Sequence, residues 1–218
     1  MNYSEVSPLE RLPSIGDARR ISQAVAMLDA ILSPDDWELR YFAYNAHWTA
    51  QQAMASMRDG SGDEYFAMFG SHGAILKGFA HDSPATARDP RVAQRQLREQ
   101  LPVSFEAFLS EPAFNPGDTT FCIWREPSDS AWTRADLTGN TEPLEDGIAR
   151  LLWVFDGLPQ TYLSWAQEYH EADIPLRAVG AVYALEPLSE RLVAQLNPLV
   201  TLSALTADCT EIGYPIST

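Results

Sequence analysis

The chain has 218 residues, 45% of them hydrophobic and 21% charged, which is ordinary globular usage and excludes a fibrous or wholly disordered protein. Its 15 basic and 30 acidic side chains give a net charge of −15, divided unevenly: residues 1–109 carry −4 and residues 110–218 carry −11. Such a field repels phosphate backbones and anionic lipid surfaces, so it argues against nucleic acid or a membrane and for a basic protein as partner.

The length suits one domain, residues 1–218, with an irregular lead-in over residues 1–16. Apolar runs such as Leu151 to Phe155 are far shorter than the roughly 18 residues a spanning helix needs. The N-terminus, MNYSEVSPLERLPS, lacks the basic start and apolar core of a secretory signal. With Met1 taken as the native start, the expected compartment is the cytoplasm. Cys122 and Cys209 then read as reduced thiols, and the apolar neighbours of Cys122 make it an inert one.

From Asp17, the spacing of Ile21, Val25, Leu28 and Leu32 predicts a helix, with Asp17 as its N-cap and Ser33-Pro34 as its stop. Trp37 to Tyr44 alternates and is rich in aromatics, which predicts a strand. The stretch from Gln52 to Phe79 is the centre of the reading. Ala53 to Met57, Tyr65 to Phe69 and Ala74 to Phe79 are three strands of an antiparallel meander. They are joined by the glycine-bearing turns Arg58 to Glu64 and Gly70 to Gly73. Arg91 to Gln100 reads as an exposed helix, Ser104 to Ser110 as a short one, and Thr119 to Trp124 as a buried strand. Pro127 to Gly139 reads as a loop with an edge strand near Trp132. The last third is mostly helical: Leu144 to Phe155 closed by Gly157, a helix from Pro159 through Tyr169, and another from Leu188 to Leu196. Ala178 to Leu185 fits strand or helix. The fold class is α+β: an antiparallel sheet of about five or six strands, with helices on one side and a mostly helical C-terminal third.

Several strings, MASMRDGSGDEYF, GAILKGF, TTFCIWR and the terminal EIGYP, resemble a group of bacterial proteins that carry no assigned chemistry. The resemblance covers most of the chain from about Ala53 and implies a bacterial source and a shared fold, but no site. By class and charge the chain is also similar to small acidic immunity proteins that neutralise toxins.

Chemistry-bearing patterns are sparse. Asp59, Ser61 and Asp63 have the alternate spacing that opens a calcium loop, but Glu64 stands where that loop needs glycine and Gly70 where it needs a bidentate Glu, so a hairpin turn is expected. His47, His72, His81 and His170 show no zinc spacing. His81-Asp82-Ser83 has triad residue types, but a triad is assembled from distant segments, so a polar loop is expected. The adjacent carboxylates Asp35-Asp36 and Glu145-Asp146 read as helix starts or solvated turns. There is no phosphate-cradling glycine loop, and no cofactor is expected. Lys77, the only lysine, should point outward from its strand. Aromatics beside arginine suit protein interfaces. The expected contact residues are therefore Arg58, Asp59, Asp63 and Glu64 in the loop, with Trp124, Arg125 and Trp132, the last taken as a surface anchor. The leading expectation is a non-enzymatic acidic binding module, for example of the immunity or antitoxin type. The alternatives are a divalent-cation hydrolase built from scattered carboxylates, and sugar or small-molecule binding through surface aromatics.

Overall fold

The computed structural model describes residues 8–137 and 146–217. One antiparallel sheet holds six strands in chain order: β1 (Phe42–Thr49), β2 (Gln52–Arg58), β3 (Glu64–Gly70), β4 (Gly73–Phe79), β5 (Phe121–Arg125) and β6 (Thr133–Arg134). The helices are α1 (Ile15–Leu32), α2 (Pro90–Gln100), α3 (Glu106–Leu109), α4 (Ile148–Leu151), α5 (Pro159–Tyr169), α6 (Leu176–Tyr183), α7 (Glu190–Leu196) and α8 (Thr206–Ile212). The α+β class and the helical C-terminal third are as expected, and Ala178 to Leu185 is helical over most of its length. No helix among the described residues is long and apolar enough to cross a membrane.

Successive strand residues point to opposite faces, and here both faces are covered. On one face Met57, Tyr65, Phe69, Leu76 and Ile123 join a core with α1 and the C-terminal helices. On the other, Phe66, Met68, Ile75 and Trp124 pack with Leu97 of α2 and Phe108 of α3. The expected single helical side therefore holds for α1 and α4 to α8, while α2 and α3 form a smaller second layer. The α2 and α3 layer lies in the excursion between β4 and β5. These strands nevertheless pair directly, from Ala74 opposite Arg125 to Gly78 opposite Phe121.

α1 is buried around nearly all of its circumference from Ile21 to Ile31, packed against β1, α6, α7 and α8. Its N-cap is Ser14, whose Oγ accepts from the Asp17 amide at 3.1 Å, so Asp17 belongs to the first turn instead. β1 begins later than alternation predicts. Arg40 donates to the carbonyls of Ser33 and Pro34, each at 2.9 Å, and Asp29 Oδ2 takes the Phe42 amide at 2.9 Å. These bonds fold residues 33–40 back on the end of α1, and Trp37–Leu39 becomes a 3-10 turn. Similarly, the helix expected from Leu144 is the short α4 followed by a 3-10 turn, Trp153–Asp156, closed by Gly157 at φ 73°. Leu144, Glu145 and Gly139 lie outside the described residues.

Lys77 does not reach solvent. It stands on the face covered by α2 and α3, where Nζ donates to the carbonyls of Asn115 at 2.5 Å and Asp118 at 2.8 Å. Burial pushes its ammonium down to about 8. Beside it on β5, burial pushes the Cys122 thiol up to about 12, in keeping with an inert thiol.

Candidate functional site

The β2–β3 loop is built by Asp59, whose Oδ1 accepts from the amides of Ser61 at 2.8 Å and Asp63 at 2.9 Å. Gly60 and Gly62 supply φ values of 73° and 116°, which side-chain-bearing residues rarely adopt. Partial burial pushes the Asp59 carboxyl up, but the hydrogen bonds from Ser61 and the loop amides outweigh it and hold it below the ordinary range. Its oxygens are thus engaged in closing the turn.

Arg58 and Glu64 are cross-strand partners, 3.5 Å apart, and they face the α2 and α3 side. Arg58 lies over the Phe66 ring at 5.0 Å, and Glu64 Oε1 accepts from Asn115 Nδ2 at 2.6 Å. Trp124 and Arg125 sit at the opposite end of the sheet, with Trp124 buried and Arg125 donating to the Asp129 carbonyl at 3.1 Å. Trp132 corrects the expectation most clearly. It is only 8% exposed, in the α1-side core, and its Nε1 donates to the Pro13 carbonyl at 2.8 Å. A polar sequence context conceals this burial, because the partners come from the N-terminal segment and the sheet.

Asp63 turns inward and gathers residues from three segments. Its Oδ1 meets the His81 amide at 2.9 Å and His81 Nδ1 at 2.8 Å, and its Oδ2 meets Arg150 Nη1 at 2.8 Å. Arg150 Nη2 also reaches Asp82 Oδ1. Glycines permit this approach: a Cβ at Gly62 would stand 3.2 Å from that of His81, and one at Gly147 would stand 2.4 Å from that of Ala80, blocking the approach of α4 to the end of β4. His81-Asp82-Ser83 is thus more than a solvated loop. Of the loop carboxylates only Asp63 takes part, and the role of Arg150 had no signal in its local sequence.

A second feature was not anticipated. Trp37 is 74% exposed, Leu39 50% and Tyr169 36%. Tyr169 belongs to an aromatic band in which Tyr41 lies 4.8 Å from both Trp165 and Tyr169 between ring centroids, and Trp165 stacks on Tyr169 at 5.0 Å. Phe42 packs beneath. The Tyr169 hydroxyl donates to the Leu39 carbonyl at 3.1 Å. Asp35, Asp36 and Glu38, all exposed, flank Trp37. Burial raises the Tyr169 hydroxyl, with help from Asp29 and Asp36, while Tyr41 is raised by burial and then by Asp59. The Trp37 turn is fixed by Arg40, which donates to the Ser33 and Pro34 carbonyls and pairs with Asp208 at 2.5 Å. Because Trp165 and Tyr169 stack on each other, part of their ring surface is used within the band and is closed to a stacked sugar.

No family model matches the chain, no curated protein matches it, and no solved structure matches it.

Proposed function

We propose that this protein is a non-enzymatic binding module for a basic protein, in the manner of an immunity protein or antitoxin, and that the Trp37 turn is its anchor. The observation that carries the reading is a large aromatic side chain held out in solvent on a braced turn between carboxylates. An aromatic side chain presented on a braced turn spares the backbone part of the ordering cost on binding, and surrounding charge steers the encounter. The chain's charge of −15 supplies the long-range part of that attraction. The contact surface shifts accordingly from Trp124 and Trp132 to Trp37, Leu39, Tyr169 and the Asp59 loop.

Affinity capture from a bacterial source at low salt, with wild type and Trp37→Ala side by side, tests this. The expected result is a basic partner that wild type retains and Trp37→Ala binds at least tenfold more weakly, as loss of an anchor worth about 2 kcal/mol requires. Raising salt to about 0.5 M, where the screening length falls to about 4 Å, should weaken the wild-type complex. Because Trp37 is exposed, the variant should melt with wild type. Capture that is indifferent to both Trp37 and salt would sink the reading. One observation favours a second reading, the convergence of Asp63, His81 and Asp82, and it is independent of the first.

A further inference from the structure

We propose that Asp63, His81 and Asp82 form a binding site for a zinc-like transition-metal dication, with Arg150 as a built-in counter-cation that the metal displaces. One donor atom from each of the three residues lies within 4.8 Å of the others. Ligands about 2.0–2.2 Å from a tetrahedral ion stand about 3.4 Å apart, so small side-chain rotations would bring the three into register. Asp63 supplies a buried, fixed anchor, while His81, Asp82 and Arg150 are partly exposed and free to adjust. Arg150 Nη2 contacts both Asp63 Oδ1, at 3.3 Å, and Asp82 Oδ1, so a positive charge already stands between the two carboxylates.

The chemistry of the donors selects the ion. One imidazole nitrogen with two carboxylates suits zinc and its transition-metal neighbours better than magnesium or calcium, which favour oxygen alone. To ligate through Nδ1, His81 must give up the hydrogen it shares with Asp63 and carry its ring proton on Nε2. Three protein ligands leave a fourth position for water, the arrangement of an open rather than a closed zinc site. The guanidinium makes the wild-type site weak, because the ion must first break the Arg150 pairs. Its departure buries no new charge, since the arginine side chain is nearly half exposed.

The test is calorimetric titration of tag-free protein with zinc chloride, using wild type, Arg150→Ala and Arg150→Ala/His81→Ala, with magnesium and calcium as controls. The expected result is one zinc per chain in Arg150→Ala, bound at least tenfold more tightly than by wild type and lost when His81 is also replaced. Cobalt in Arg150→Ala should give the intense visible absorption of a four-coordinate ion. No uptake by Arg150→Ala, or uptake that survives loss of His81, overturns the proposal. Should Arg150→Ala fail to fold, the wild-type His81 imidazole resonances decide: they must shift on titration to millimolar zinc, and resonances that stay put overturn it. Neither outcome bears on partner binding through Trp37.

Discussion

Asp29→Asn is expected to make the protein more stable at pH 8 and to leave it nearly unchanged at pH 4.5. Asp29 is buried on α1, where its carboxylate accepts from the Tyr162 hydroxyl at 2.6 Å and the Phe42 amide at 2.9 Å. Burial pushes its carboxyl up to about 7, against those hydrogen bonds and the field of Arg40, which favour the charged form. The folded state therefore holds a proton that the unfolded chain has released between about pH 4 and 7, and stability falls as pH rises through that window. A shift of about three units corresponds to a loss of about 4 kcal/mol by pH 8. Asn resembles the neutral acid: its oxygen keeps the Phe42 amide and its amide donates to Tyr162. Lys77, lowered to about 8, acts in a separate window, since a depressed lysine adds stability only as pH rises above 8. Urea unfolding of wild type and variant at both pH values gives the difference directly. Parallel curves across the range would show that Asp29 is ionised throughout, and would remove this account of the acid stability.

Gly73→Ala is expected to lose at least about 3 kcal/mol, a large share of a typical 5–15 kcal/mol total. Gly73 opens β4 at φ 113°, and a Cβ there would stand 2.1 Å from the Arg125 carbonyl oxygen and 3.0 Å from the Glu126 Cα. Both are backbone atoms at the end of β5, so relief means parting the Ala74 and Arg125 pair. Gly60 is the control: its φ is 73°, but a Cβ meets nothing within 4 Å. Gly60→Ala should lose only about 1–2 kcal/mol, the cost of the left-handed conformation alone. Equal losses at the two positions, measured by denaturant unfolding, would mean that strand contact is not the source of the effect.

Much of the fold was legible because the relevant interactions are local in sequence. The β2 to β4 meander is set by β-prone runs and by glycines where the turns require positive φ, and Gly157 stops its helix for the same reason. Misreadings arose where a distant side chain took a backbone group. Asp29 and Arg40 convert the start of an apparent strand into the Trp37 turn, and carbonyls from the 115–118 segment cover Lys77. The candidate sites divide in the same way. Asp59 closes a turn that its own neighbours specify, whereas the Asp63, His81 and Arg150 cluster joins residues 18 and 87 positions from Asp63.

The sequence by itself determined the composition, the acidic surplus, the meander and the helical C-terminal third, because charge is counted and secondary structure follows periodicity and turn chemistry over a few residues. Only the tertiary structure decided which aromatics face water. Trp132 and Trp37 both stand in polar stretches, yet one finds a carbonyl from Pro13 and a core, while the other is braced outward by Arg40. Burial depends on what the rest of the chain brings to a residue, and its immediate neighbours in sequence do not encode that.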